Sequence, residues 1–234
     1  MSDIPWIKSV ELTRYYRRGP HEVKALDGVS LSMDRGEFLS IVGSSGSGKS
    51  TLLSILAGLH TPTSGKVEVE GRSIYDLSRR ELAAYRAHKV GMIFQSFNLI
   101  SHYTAVQNVE TALLFNGTSP KERARRSAEI IEQLGLADRM THRPADLSGG
   151  EQQRIAVARA IVKRPEILFA DEPTGNLDYE NARQIVSLLT SLNKQGLTVL
   201  MVTHNLELAQ QNAHRIIRMH YGKIVDGEVG GAVI

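Results

Sequence analysis

Residues 38–57 constrain the fold more than any other stretch of this chain. Phe38-Leu39-Ser40-Ile41-Val42 is an apolar run of strand length. Gly43-Ser44-Ser45-Gly46-Ser47-Gly48-Lys49-Ser50 follows it, and Thr51-Leu-Leu-Ser-Ile-Leu-Ala57 reads as a helix stopped by Gly58 and Pro62. The middle run fits G-x-x-x-x-G-K-[ST], a loop whose backbone N–H groups cradle phosphates, and strand–loop–helix is the setting that loop requires. Gly43, Gly46 and Gly48 let the backbone approach a phosphate and turn several N–H groups inward, and the helix adds its positive end. Lys49 is predicted to reach the β- and γ-phosphates, and the Ser50 hydroxyl to ligate Mg²⁺. Ser44, Ser45, Ser47 and Thr51 complete the predicted phosphate cradle.

The rest of the chain arranges itself around that unit. Residues 7–16 and 24–33 alternate apolar and polar, and Lys66-Val67-Glu68-Val69-Glu70-Gly71 continues the pattern. An antiparallel β layer is therefore expected from segments on both sides of the loop. Residues 96–163 change character. Pro120 opens a helix over Lys121–Leu134 with Ala124, Ala128, Ile131 and Leu134 on one stripe, and a second helix runs from Glu151 to Val162, closed before Pro165. Beyond residue 164, strands and helices alternate: strand 167–170, helix 181–193, strand 198–202, helix 206–212 and strand 215–219. Such alternation predicts a parallel sheet with helices on both faces. The expected organisation is a single domain, with residues 1–95 and 164–225 forming a core plus antiparallel layer, 96–163 an inserted helical subdomain, and 226–234 a loosely ordered tail.

Composition excludes several classes. At 234 residues the chain has the size of one α/β domain. No stretch approaches the ~18 consecutive apolar residues of a membrane helix, and Asp3, Pro5 and Lys8 argue against a secretory leader. The absence of cysteine removes disulfides, thiolate chemistry and zinc–sulfur sites. The net charge of +3 is spread out apart from Arg14-Arg17-Arg18 and Arg123-Arg125-Arg126, so no nucleic-acid partner is expected.

Ile167-Leu168-Phe169-Ala170-Asp171-Glu172 is an apolar strand ending in two acids. A buried parallel strand delivers its last carboxylates to the crevice where ligands bind. Asp171 is expected to hold Mg²⁺, and Glu172 to orient and polarise an attacking water. Leu147-Ser148-Gly149-Gly150-Glu151-Gln152 opens a helix, another N-terminus that favours an anion.

With the loop and the Asp171-Glu172 strand, this LSGG-E run resembles the signature of ATP-binding-cassette (ABC) ATPases, and the resemblance extends over nearly the whole chain. It implies the fold of that family: an α/β P-loop NTPase core with a RecA-like, mostly parallel sheet, an antiparallel β subdomain and an inserted helical subdomain. Residue by residue, it implies that Gln95, in Val-Gly-Met-Ile-Phe94-Gln95, contacts Mg²⁺ or its water and couples nucleotide to the helical insertion. Asp178, in Gly175-Asn176-Leu177-Asp178, takes the D-loop position, His204 is the switch histidine expected at the γ-phosphate, and Tyr16 stacks on adenine. Tyr15 is adjacent, and strand alternation sends the two rings to opposite faces.

Ser148, Gly149 and Gly150 are implied to close on the ATP of a partner, two ATP molecules lying between two cassettes. A second cassette, identical or homologous, and a transmembrane permease are then the partners, with ATP and Mg²⁺ the ligands. The implied location is cytoplasmic, peripheral on the inner (plasma) membrane. Gly175-Asn176 replaces the more usual Ser-Ala. With Phe94-Gln95-Ser96-Phe97-Asn98-Leu99, it resembles the group of macrolide-export, lipoprotein-release and cell-division cassettes (MacB, LolD and FtsE types).

Residues 96–109, with Phe97, Leu99, Ile100 and Tyr103, offer an apolar patch suited either to a permease helix or to packing within the insertion. Two functions share this chemistry: an ATPase driving an efflux or lipoprotein-release permease, and a mechanotransmission ATPase that regulates a membrane or periplasmic partner without moving a substrate. A DNA-repair or translation ATPase fits less well, since no long coiled coil and no second cassette is present. A small-molecule kinase would leave Leu147–Gln152 without a role.

Overall fold

A computed structural model describes residues 5–19, 21–115 and 117–229. Its antiparallel sheet contains β1 (Ile7–Arg18), β2 (His21–Met33), β4 (Ser64–Val69) and β5 (Arg72–Ser73), in the order β2-β1-β4-β5. A second sheet runs β10-β9-β3-β8-β7-β6, from β3 (Phe38–Val42), β6 (Val90–Ile93), β7 (Ile167–Asp171), β8 (Thr198–Thr203), β9 (Arg215–His220) and β10 (Lys223–Val229). Every pairing in this sheet is parallel except β9 with β10. The helices are α1 (Lys49–Leu56), α2 (Arg79–His88), α3 (Ala105–Glu110), α4 (Pro120–Gln133), α5 (Gly149–Ile161), α6 (Tyr179–Lys194) and α7 (Leu206–Asn212). The fold is α/β, with a mostly parallel sheet, a separate antiparallel β layer and a helical insertion, as expected.

The central strands read as unbroken apolar runs because both of their faces are covered. Leu39 and Ile41 of β3, Ile167 and Phe169 of β7, and Leu200 and Val202 of β8 enter one core, shared with α1 and the antiparallel sheet. The alternate residues Phe38, Val42, Leu168, Ala170, Val199 and Met201 enter a second core, beneath α6 and α7. A third cluster joins α3, α4 and α5 through Val109, Ile131, Ile155 and Ala158.

Several expected boundaries shift. β1 and β2 run further toward each other than 7–16 and 24–33. Asp226 opens no loose tail, because residues 223–229 pair with β9; residues 230–234 of that predicted tail, like Asp3 of the leader argument, lie outside the described residues. On α4 the buried stripe centres on Ser127 and Ile131, while Ala124 is exposed. The helix turns its Ile130–Leu134 side inward, which carries Ala124 to the margin. Helices α2 and α3 and strands β5, β6 and β10 were not anticipated.

Candidate active site

The two-residue period of β3, β7 and β8 decides where the site forms. Asp171 continues the Ile167–Phe169 face toward α1, and there its Oδ1 accepts a hydrogen bond from Ser50 Oγ at 2.7 Å. The chain then turns: Glu172 has φ 46, the left-handed region that few residues other than glycine adopt. Its own N–H still donates to Val202 O at 2.9 Å, which keeps it at the end of β8. The carboxylate is buried between Lys49 Nζ, 3.6 Å from Oε1, and His204 Nδ1, 2.8 Å from Oε2. The backbone N–H of His204 donates to the same Oε2 at 3.2 Å. Loop-flanking strands thus bring Lys49, Asp171, Glu172 and His204 to one sheet edge.

Glycine is required in the loop by close approach. A side chain at Gly48, where φ is 100, would run into the Ala25 carbonyl, and one at Gly43 into the Met219 carbonyl. Lys49 is 5% exposed and donates to Gly43 O at 2.8 Å and Ser44 O at 3.1 Å, so the cation is held over the loop. Ser47 Oγ is buried with no partner. The N-terminus of α1 is capped by no side chain, leaving its N–H groups pointing at the loop.

These residues surround a cavity of about 710 Å³, lined by Val23–Ala25, Ser45–Thr51, Gln95, Glu172 and His204. Burial pushes the Asp171 carboxyl above its usual range, Glu172 adds to the rise, and the Ser50 hydrogen bond and Lys49 oppose it. Among the described residues no cluster of three or more acidic or histidine side chains could hold a metal alone. The adjacent Ser50 hydroxyl and Asp171 carboxylate are hard oxygen donors that suit Mg²⁺ when phosphate and water complete its shell. A buried unpartnered hydroxyl at Ser47 and a bare helix end suit a phosphate chain equally well.

Other sequence-predicted residues stand apart. Tyr16 is not part of the lining; it pairs with Val23, which is, and Arg14 lies over its ring at 4.7 Å. Tyr15 turns its hydroxyl to Asp27 at 3.0 Å. Gln95 is exposed at the cavity wall, beside the loop of Gly175 and Asn176. Ser148, Gly149, Gly150 and Asp178 lie outside the cavity. Ser148 caps α5 in a reciprocal pair, its Oγ accepting from Glu151 N at 3.3 Å and its N–H donating to Glu151 Oε2 at 2.8 Å. Asp178 caps α6, accepting from Asn181 N at 2.9 Å and Asn181 Nδ2 at 2.7 Å.

Sequence reasoning missed Val23, Lys24 and Ala25, which form one wall of the cavity; folding of β2 against the loop, with the Ala25 carbonyl beside Gly48, brings them there. Of the patch residues, Phe97, Leu99, Ile100 and Tyr103 are all half-buried.

Comparisons with known proteins point to one family. The family model described as ABC transporter matches residues 26–175. An uncharacterized ABC transporter ATP-binding protein of Thermotoga maritima is 46% identical over 224 residues, covering 96% of this chain and 95% of that protein. The macrolide export ATP-binding/permease protein MacB of Hyphomonas neptunium is 44% identical over 221 residues, covering 94% of this chain but only 34% of MacB. The chain thus spans about a third of that relative's length. A solved ATP-binding cassette, dimeric in a post-hydrolysis state with bound ADP and Pi, superposes with a TM-score of 0.88 at 40% identity, covering 95% of this chain and 98% of that one.

Proposed function

The chain belongs to the ABC transporter family of ATP-binding proteins and is an ATPase, and from that premise we propose that it works as one half of a cassette pair that closes around two ATP molecules to drive a separate membrane permease. One observation carries the proposal. The cavity gathers the lysine loop, Gln95, Glu172 and His204, yet leaves out the second anion-ready helix tip at Ser148–Gly150. That tip is built for a ligand held by another molecule. Its Ser148 hydroxyl accepts from Glu151 N and retains its proton to donate. The dimeric form of the related cassette and the joined ATP-binding/permease name of MacB favour the same reading.

The roles follow from position. Loop N–H groups of residues 43–51 and the end of α1 hold the phosphates, with Lys49 reaching the β- and γ-phosphates. Tyr16 and Val23 flank the base at the rim. Ser50, Asp171 and Gln95 are the residues that would hold Mg²⁺, which supplies charge neutralisation at the phosphate oxygens when bound. Glu172 orients the water that attacks the γ-phosphate, and His204 fixes the Glu172 carboxylate and contacts the same phosphate. The partner's Ser148–Gly150 tip and Asp178 loop complete each site. Once the γ-phosphate leaves, the attraction between the halves is lost and the pair reopens. Residues 96–163 act as a helical subdomain that moves with this cycle, and residues 96–109 receive the permease. An efflux or lipoprotein-release permease is the proposed partner, at the cytoplasmic face of the inner membrane.

The test is sedimentation of Glu172→Gln with ATP and Mg²⁺. A dimer with ATP that reverts to monomer with ADP is expected; a monomer under both conditions overturns the pairing. Co-purification from membranes then identifies the permease, and reconstitution in vesicles distinguishes substrate transport from regulation of a partner without transport.

A further inference from the structure

The loop after β7 is fixed at both ends. Gln153, fully buried on α5, donates through Nε2 to Pro173 O at 2.6 Å. Asp178 closes the other end by capping α6. Between these anchors, two residues touch Gln95, 80 or so positions earlier in the chain. Asn176 Nδ2 donates to Gln95 O at 2.9 Å. Gly175 lies flat against the Gln95 side chain: a methyl group built on its Cα would sit 3.0 Å from Nε2 and 3.4 Å from Cδ and Cγ. Gly175 also donates its N–H to Glu172 O at 3.0 Å, which ties this seat to the residue next to the attacking water.

We infer that Gly175 and Asn176 are positioning residues for ATP hydrolysis, one leaving room for the Gln95 amide and the other clamping the Gln95 carbonyl. These are the two positions at which the chain carries Gly-Asn in place of the more usual Ser-Ala. The inference rests on the proposed role of Gln95 at the nucleotide. Neither residue needs a substrate contact of its own. Asn176 sets where the Gln95 backbone lies, and Gly175 sets how far its amide can retreat from the cavity wall. The anchored ends make the seat rigid, so removing one contact displaces Gln95 rather than the loop. The atoms nearest a methyl at residue 175 are Nε2, Cδ and Cγ of one flexible side chain, so it moves the amide and leaves the fold intact.

The experiment is a double-mutant cycle in steady-state ATPase assays of the full chain. Asn176→Ala is expected to lower kcat roughly 3–10-fold, the range one lost hydrogen bond supports, and Gly175→Ala to lower it by displacing the Gln95 amide. KM for ATP and the unfolding midpoint should hold, and Asn176→Asp, which offers no donor, should fall at least as far as Ala. Combined with Gln95→Ala, neither substitution should lower kcat further. Additive losses in the double variants, alongside a clear Gln95→Ala defect, overturn the inference while leaving Gln95 its role. Wild-type turnover in Gln95→Ala removes that role and the inference with it.

Discussion

Two helix N-termini in this molecule can attract an anion, and they are finished differently. The start of α1 is preceded by Gly48 at φ 100 and has no side-chain cap. The start of α5 is closed by the Ser148–Glu151 box, and Glu151 is held further by Arg139 Nε at 2.9 Å. Those contacts keep the Glu151 carboxyl below its ordinary range, the Ser148 backbone bond contributing most and Arg139 next. The first end leaves its N–H groups to a ligand and is ringed by this chain's own Lys49, Asp171 and Glu172. The second satisfies itself, so it folds whether or not a ligand is near, and it lies outside the lining of the cavity. Under the proposed function, the reactive centre and the self-capped tip on one polypeptide are the two halves of a composite site.

The sharpest way to break this contrast is to silence the chemistry of the first region alone. Glu172→Gln keeps the volume and the acceptor that faces His204 but loses the charge. Turnover should fall by about 10²–10⁴-fold, the usual worth of a positioned proton-transfer group. Calorimetric ATP affinity should stay near wild type, because the phosphate cradle is untouched. Unchanged hydrolysis would move the catalytic role to another residue.

The second region is broken at Gly150. A side chain there would collide with Asn181, whose side-chain amide donates to Asp178 Oδ2 and whose backbone N–H donates to Oδ1 at the cap of α6. Gly150→Ala must therefore shift the tip of α5 at a cost of about 1–3 kcal/mol, the range for overpacking. Binding of ATP to the isolated chain should be unaltered. ATP-dependent dimerisation and turnover should both drop by roughly 10-fold or more, as that energy implies. Equal loss of ATP affinity in the monomer would erase the distinction between the two helix ends.

How much of this was legible beforehand differs between the regions for a physical reason. The loop, its strand and the Asp171-Glu172 pair are continuous in sequence and have strong local signals, and the fold brings Ser50 and Asp171 within a 2.7 Å hydrogen bond. Two helices left weaker traces: α2 buries only Tyr85 and α3 is six residues long, although their Ser78–Glu81 and Thr104–Gln107 capping boxes were readable signals. Register was not readable. An irregularity between Arg14 and Tyr15 breaks simple alternation in β1, so only the pairing shows that Val23, opposite Tyr16, reaches the cavity. The bond from Asn176 to Gln95 was hidden because it joins two distant loops that the folded sheet alone brings together.

The smallest expected effect lies within the first region and concerns stability rather than rate. Asp171 has its pKa raised mainly by burial, from an ordinary value of 3.8. Its ionised form is therefore the less favourable one in the folded state, and the stability it offers exists only where it is protonated. That contribution is complete below the unfolded pKa and is lost as pH rises through the higher folded value, so at neutral pH the carboxylate weakens the fold. Asp171→Asn keeps an oxygen for the Ser50 hydroxyl and carries no charge. It should raise the unfolding midpoint at pH 7. The gain should shrink as pH falls and vanish below the ordinary carboxylate range. The same variant should lose Mg²⁺-dependent turnover, because an amide oxygen is a poor substitute for a carboxylate at a hard cation. Scanning calorimetry between pH 4 and pH 8 reads the first effect. A variant less stable than wild type at pH 7 would mean that Lys49 and Ser50 outweigh burial at Asp171, and that the first helix end is balanced for folding rather than left open for its ligand.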